Sequence, residues 1–574
     1  MIYHIKYNKT KSHTLLECGF FYFRFMRNIA VILIYILYLP VQGQNTIGLL
    51  SFSKATSYDG YNLLYPQNQS TTYLIDNCGQ IVHTWGDIEP TVPGNSVYIT
   101  EEGQLIRCKR LLTSAVNDPI WAGGGGETVE ILEWDGESMA SFTLNDSTMR
   151  LHHDIAPMPN GNILMIAWEL KSMDQSIEAG RNPALLDQDK LWPEVILEWD
   201  PSKDSIVWEW KSWDHLIQDF DPSKNNFGVV SEHPELINLN YDEHDGHPDW
   251  LHINAIDYNP SLDQIVVSVP YFNEFWIIDH STTTEEASGH QGGASGKGGD
   301  LLYRWGNPKA YNREGDQKLF FQHDVHWVSS TTPTDGSNLG RIVLFNNRVS
   351  ETLSTANVLS TPVSADGSYT LEGNVYGPSD FERVVSYPGD EPRSVSSSLS
   401  SAQLLPNGNM LVCAGRWGFS YEVTEEDKLA WEYITPIKAG NPLEQGDTTL
   451  SINNNLTFRT LRYSTDFEGF DNRDLSPKGF IENLPNEGFC DFLITNTVES
   501  AVTDFVIYPN PASSSVTIER IISDDTMLEL YDISGMLIRR QAVSGYLVDL
   551  DLRWATEGVY FVRVDNLTSR FVKI

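Results

Sequence analysis

Residues 158–166 read MPNGNILMI and residues 405–413 read LPNGNMLVC, almost the same phrase at two distant points of the chain. In both, Asn-Gly-Asn separates apolar runs of strand length, so each phrase predicts a tight hairpin turn that feeds a strand. EEGQLIRCK (101–109) falls into the same register, and YNPSLDQIVVSV (258–269) joins it with a slightly longer turn. Further along most of these units, an apolar strand precedes one that carries tryptophan: TYLIDNCGQIVHTW, VILEWDPSKDSIVWEW, DLLYRWG and FSYEVTEEDKLAWEY. Four short strands with a tryptophan signature, repeated, predict the blades of a β-propeller. Starts near Phe52, Asn95, His153, His252, His323 and Ser400 give six blades, the first the poorest match. Between His153 and His252 the spacing requires a long insertion, which includes the acidic, His-rich stretch SEHPELINLNYDEHDGHPDW.

The same register aligns histidines. His153, His252 and His323 occupy one slot at the start of the expected innermost strand, while Asn95 and Ser400 fill it elsewhere. Inner strands line a central funnel, so equivalent residues converge although far apart in sequence. A single histidine at a strand start is more often a structural hydrogen-bonding residue. Three in one slot, in a chain with 14, point to a shared site.

The chain has 574 residues, enough for more than one domain. Residues 1–43 read as a secretory signal: Met26-Arg27-Asn28, the apolar run IAVILIYILYLP, then Val41-Gln42-Gly43 before a cleavage expected at Gln44. The apolar run is too short to span a bilayer, and Met26 is a candidate true start. Removing the signal leaves 34 basic and 76 acidic side chains, a formal charge of −42. That surface argues against nucleic acid and anionic membranes as partners, and no transmembrane segment is expected in the mature chain. Any anionic substrate then needs a local cationic site. Of the exported cysteines, Cys78 and Cys108 are a candidate pair across neighbouring strands.

The C-terminal segment carries YPNPA, the LYDISG turn, GVYFVRV and a basic last strand. It resembles the C-terminal sorting domain of proteins exported by the type IX secretion system of Bacteroidota. That resemblance implies a small immunoglobulin-like β-sandwich over residues 505–574, a type IX machinery partner, and a secreted or cell-surface location. The expected organisation is signal 1–43, propeller 44–495, linker 496–504 and sorting domain 505–574. The fold class is all-β: a six-bladed β-propeller followed by that small sandwich.

HHDIAPMPNGNILMIAWE, DWLHINAIDY, FFQHDVHWV, the FNN run before Arg348, PNGNMLV with WEYITP, and RYSTDFEGFDNRDLSPKGFIE carry a second resemblance. Over residues 50–485 the chain resembles the arylsulfate sulfotransferase family. These exported enzymes move a sulfuryl group from one phenol to another without a nucleotide donor. The resemblance implies catalytic roles for His252, His323 and Arg348. His153 joins them as the candidate nucleophile or base. His152, His326, Asn254 and Trp168 are candidate substrate contacts, and Tyr271, Phe272 and Trp417 are candidate aromatic walls. Aryl sulfate and phenol are the implied small-molecule partners, and no cofactor is implied. The chemistry fits: in-line transfer needs a nucleophile on the axis and fixed donors around the sulfuryl oxygens.

The family's covalent nucleophile is a further, late histidine, and this chain has none after His326. Three readings stay open. His153, His323 or His326 serves instead; the reaction is direct transfer or hydrolysis; or the propeller binds a phenolic, glycan or protein ligand without catalysis. No HxxxH or HExxH spacing supports a metal, and NYDEHDGHPD lacks the ligand spacing of an EF-hand. AGGGGE (122–127) and SGHQGGASGKGGD (288–300) read as flexible loops without a phosphate-cradling lysine after a strand, which argues against nucleotides.

Overall fold

The computed structural model describes residues 45–87, 91–113, 120–328, 339–496, 506–532, 536–564 and 567–574. The expected signal at 1–43 and nearly all of the linker at 496–504 lie outside the described residues. The chain divides into two compact units, one of Ser57–Phe489 with the residues up to Ser51, the other of Phe52–Thr56 and Cys490–Ile574.

The PNGN turns show how the repeat folds. Met158 N–H donates to Asn162 O at 2.9 Å and Leu405 N–H to Asn409 O at 2.8 Å. Gly161 and Gly408 both sit at φ +84°, a left-handed conformation that glycine adopts without strain. The first asparagine side chain of each phrase accepts the N–H two residues on, at 3.0 Å in Asn160 and 3.1 Å in Asn407. The second reaches a glutamate on the next strand: Asn162 to Glu198 at 2.5 Å, Asn409 to Glu422 at 2.6 Å. Both asparagines and the glycine of the motif thus have a job in the hairpin.

Six sheets of four or five strands, with four two-stranded sheets beside them, form the body of the larger unit among the described residues. Their innermost strands are β1 (Thr91–Ile99), β2 (Met149–Pro157), β3 (Ala255–Asn259), β4 (His323–Trp327), β5 (Ser401–Leu404) and β6 (Thr457–Ser464). From β1 to β5 each sheet runs outward in chain order. These strands neighbour one another in sequence, and β6 lies beside both β5 and β1, closing a ring. The arrangement is propeller-like. Tryptophans on the fourth strands, counted outward from the centre, tie consecutive sheets together. The indole N–H of Trp85 donates to Glu133 O, Trp210 to Gly299 O, Trp305 to Pro378 O and Trp431 to Asn77 O, at 3.3, 2.7, 2.7 and 2.8 Å. A buried indole needs such a partner, which is the physical content of the tryptophan signature.

One expected start was misplaced. Phe52 ends the strand Gly48–Phe52, which adds a fifth strand to the outer edge of the β5 sheet. The blade that follows, Gly60–Pro66, Thr72–Asp76 and Ile81–Trp85, takes its inner strand β6 from the far end of the unit. No hairpin joins β6 to Gly60–Pro66, so the turn signal that marks other units is missing. The Cys78–Cys108 pair also fails: Cys108 is a buried free thiol, whereas Cys78 and Cys490 are each disulfide-bonded.

Among the described residues the smaller unit has five strands, Val506–Tyr508, Ser515–Asp532, Leu537–Asp551, Gly558–Val564 and Leu567–Lys573, around a core that includes Val516, Leu530, Leu550, Val562 and Phe571. Register shifts interrupt the long Ser515–Asp532/Leu537–Asp551 pairing, as bends in a hairpin require. No helix among the described residues is long and apolar enough to cross a membrane.

Candidate active site

Bulges interrupt three of the inner strands at the shared slot. In β1, β2 and β4 the register against the second strand shifts across Pro93/Val97, Leu151/Ile155 and His323/His326, so extra residues leave the ladder where the shared slot lies. Asn95, His153, His252 and Ser400 all take positive φ, at +98°, +50°, +55° and +92°. For β4 the positive φ falls on Asp324 instead, at +58°. Non-glycine residues rarely hold this conformation, and such outliers gather at functional sites.

His153 and His252 meet edge to face with ring centroids 4.5 Å apart. His152 Nδ1 lies 2.9 Å from His153 Nδ1, and its ring stacks on Trp168 at 3.9 Å and 5°. Trp168 Nε1–H donates to Asp249 Oδ1 at 3.0 Å, and Asp249 Oδ2 lies 2.5 Å from His252 Nδ1. A ring stack and two hydrogen bonds thus link His152, through the indole and the carboxylate, to His252. Burial, with the neighbouring His252 ring second, holds His152 and His153 far below the ordinary imidazole range, so both are neutral. His152 Nε2 is buried without a partner.

The glycine loop at 122–127 caps the cluster. Gly124 O accepts the backbone N–H of His153 and the side-chain amide of Asn95, both at 2.8 Å. A Cβ on Gly124 would fall 2.0 Å from His153 Nε2, so only glycine fits beneath that ring.

His323 sits differently. Its Nδ1 donates to Asn347 Oδ1 at 2.8 Å, and its Nε2 accepts the backbone N–H of Leu399 at 3.1 Å. Both ring nitrogens are engaged. Burial, only partly opposed by the Asn347 bond, pushes its pKa down to about 3. Asn347 in turn donates to Ser396 O and Leu399 O. Arg348 is exposed, donates Nε–H to Ser397 O at 2.9 Å and lays its guanidinium 3.5 Å over Phe321. Phe321 stands 6.1 Å from His252 and 5.3 Å from Tyr271, while Tyr271 is 5.1 Å from His252. An aromatic pair and a cation therefore stand beside His252.

Other expected contacts lie elsewhere. Trp168 is fully buried behind His152 and backs the site rather than lining it. Asn254 is buried and donates to Gln322 O at 2.9 Å, joining β3 to the approach of β4. Phe272 lies in the core, and Trp417 packs against the core of the β4 and β5 sheets. His326 points into a separate cavity with Tyr58, Asp257, Arg462 and Phe467. Arg459 of β6 also borders that cavity, ion-paired with Asp154 of β2 at 2.5 Å and Asp324 of β4 at 2.8 Å, so three alternate strands of the ring meet at one guanidinium.

Asp249, Gly124, Asn347 and Arg459 were not singled out from sequence. Asp249 had a signal, three residues before His252 in DWLH; Gly124 had only its place in AGGGGE.

The arylsulfotransferase (ASST) family model matches residues 49–459. The chain belongs to the arylsulfotransferase family. In this arylsulfotransferase-family protein, residues 506–574 match the secretion system C-terminal sorting domain, which directs type IX secretion to the cell surface or medium. No curated protein matches the chain significantly. Among solved structures it is similar to a protein of unknown function from Bacteroides caccae, at 12% identity and TM-score 0.37, covering 71% of this chain and 99% of that one. Virginiamycin B lyase from Staphylococcus aureus is similar at 10% identity and TM-score 0.29, covering 65% of this chain and 86% of that one.

Proposed function

We propose that this protein is an exported, six-bladed propeller enzyme that moves a sulfuryl group from a phenolic sulfate ester to a phenol, without a nucleotide. In this reading residues 1–43 are the signal, 44–495 the propeller, 496–504 the linker and 505–574 an immunoglobulin-like sorting sandwich. The observation that carries it is the Asp249–His252 pair at 2.5 Å beside the neutral His153.

Asp249 accepts Nδ1–H of His252, which leaves the lone pair on His252 Nε2. The His152–His153 contact holds one proton between two Nδ1 atoms. If His152 carries it, its partnerless Nε2 is an acceptor; otherwise Nε2 is a buried N–H donor with nothing to receive it, the rarer and costlier state. His153 then keeps its proton on Nε2 and acts as a donor. This assigns the nucleophile to His252 rather than to His153, the candidate that the sequence offers.

His252 Nε2 attacks sulfur, the S–O(aryl) bond breaks, and the phenolate leaves with the bonding pair. Positive charge develops on the His252 ring, and Asp249 offsets it. His153 Nε2–H and Arg348 donate to the sulfuryl oxygens or the departing phenolate, and Tyr271 with Phe321 faces the aryl ring. An acceptor phenolate then attacks the sulfur of the N-sulfohistidine and restores neutral His252. His323 acts as a positioning residue: it fixes the Ser396–Leu399 segment from which Arg348 hangs.

The test is incubation of the exported chain with a chromogenic aryl sulfate and a phenol, with mass analysis of the product and of trapped protein. Sulfated acceptor and a sulfuryl adduct on the His252 peptide are expected. Folded protein that binds phenols without releasing any from the ester would overturn catalysis and leave a binding propeller.

A further inference from the structure

The glycine-rich segment 288–300 plays no part in that chemistry, and it builds a second cluster on the outer side of the ring. His215 follows the outermost strand of the β2 sheet, Ser205–Lys211, and Asp300 precedes the outermost strand of the β3 sheet, Tyr303–Trp305. His215 Nδ1 lies 2.9 Å and His290 Nδ1 2.7 Å from the same oxygen, Asp300 Oδ1. His215 is fully buried and stacks parallel on Trp210 at 5.5 Å and 4°.

Hydrogen-bond bookkeeping makes the cluster unusual. His215 Nε2 is 2.9 Å from Ala287 O, which can only accept, so Nε2 carries a proton. The neutral ring then has its lone pair on Nδ1, aimed at a carboxylate oxygen that also has only lone pairs to offer. A cation between them resolves the conflict, either a second proton on His215 or a metal ion. A histidine whose far N–H is held by a backbone carbonyl is the arrangement that orients metal ligands. His290, 60% exposed, brings a third ligand atom to the same point, and all three lie within 4.8 Å of one another.

The loop is shaped for this contact. Gly299 N–H donates to Gly289 O at 3.0 Å, and Trp210 Nε1–H donates to Gly299 O at 2.7 Å. A Cβ on Gly299 would fall 2.0 Å from Ala287 O and 2.6 Å from His215 Nε2. A surface cleft lined by Trp213, Asp214, His233 and His290 leads to the exposed side.

We propose that His215, His290 and Asp300 bind a divalent transition ion of the zinc class, through the two Nδ1 atoms and Oδ1, with a fourth position open to solvent. Two imidazoles and one carboxylate suit such an ion better than magnesium or calcium, which prefer all-oxygen shells. Bound, the ion pins the glycine-rich segment to the insertion that follows the β2 sheet.

The test is titration of the full exported chain with Zn(II), read by calorimetry and by anomalous diffraction at the zinc edge. An anomalous peak between His215, His290 and Asp300 is expected. His290→Ala, at an exposed position, and Asp300→Asn should each remove that peak and weaken this binding event by about tenfold or more. Zinc found only at other histidines, or affinity at this site unchanged by His290→Ala, would overturn the proposal.

Discussion

His252 Nδ1 lies 2.5 Å from Asp249 Oδ2, while the other oxygen of that carboxylate accepts the Trp168 indole N–H at 3.0 Å. The carboxylate is held from two sides, so the imidazole it faces has one orientation and one tautomer. Catalytic histidines on unrelated folds depend on such a partner for the same reason.

Asp249→Asn keeps the shape but offers His252 an amide in place of a carboxylate. Sulfuryl transfer should fall by roughly 10³-fold or more, with little change in aryl sulfate binding. Single-turnover kinetics would read the split. Unchanged turnover would remove Asp249 from the mechanism.

Gly124→Ala should displace His153, because the new methyl would stand 2.0 Å from its Nε2 and the backbone sits at φ +85°. Activity should drop by about tenfold or more, and the left-handed backbone adds roughly 1 kcal/mol of instability. Parallel activity and urea-unfolding measurements separate the two effects. Full activity in the alanine variant would contradict the cap described for AGGGGE.

His323, pushed down to about 3, binds no proton in the folded state at pH 5, whereas in the unfolded chain its ordinary value of 6.5 makes it mostly charged there. A depressed histidine pKa therefore costs stability as pH falls below 6.5, progressively until about 3. His323→Gln removes that cost. Its destabilisation should shrink by about 2 kcal/mol between pH 7 and pH 5. Equal destabilisation at both pH values, by urea unfolding, would mean that His323 is not held neutral.

Arg459→Met leaves Asp154 and Asp324 buried without their shared cation. A loss of about 3–5 kcal/mol is expected, the penalty of an uncompensated buried charge rather than the worth of the pair. A variant as stable as the parent by urea unfolding would show that the carboxylates find another counter-charge.

Much of the fold was legible because the repeat wrote itself into local chemistry. PNGN, the alternating strands and the outer tryptophans each do a nearest-neighbour job, and nearest-neighbour jobs leave short motifs. The shared histidine slot was legible for the same reason, and it brought His153 and His252 within 4.5 Å. What sequence could not give was which ring nitrogen is free. His323 shares the slot, yet Leu399 N–H, contributed by a distant loop, occupies its Nε2 at 3.1 Å. His326 is three residues from His323, but the shifted strand register sends it into another cavity. The blade closed by β6 was illegible because its pairing, Gly60–Pro66 with Thr457–Ser464, is among the longest-range in the unit.

That closing strand is also the one that carries Arg459. During synthesis and export, the residues up to Asn455 can build hairpins one after another, but their first blade still lacks its inner strand and two inward carboxylates still lack a cation. Thr457–Ser464 supplies both in eight residues. Latching the ring and supplying the cation that its two carboxylates share are thus a single event, and a chain cut short before it would be open at its seam with both carboxylates unpaired.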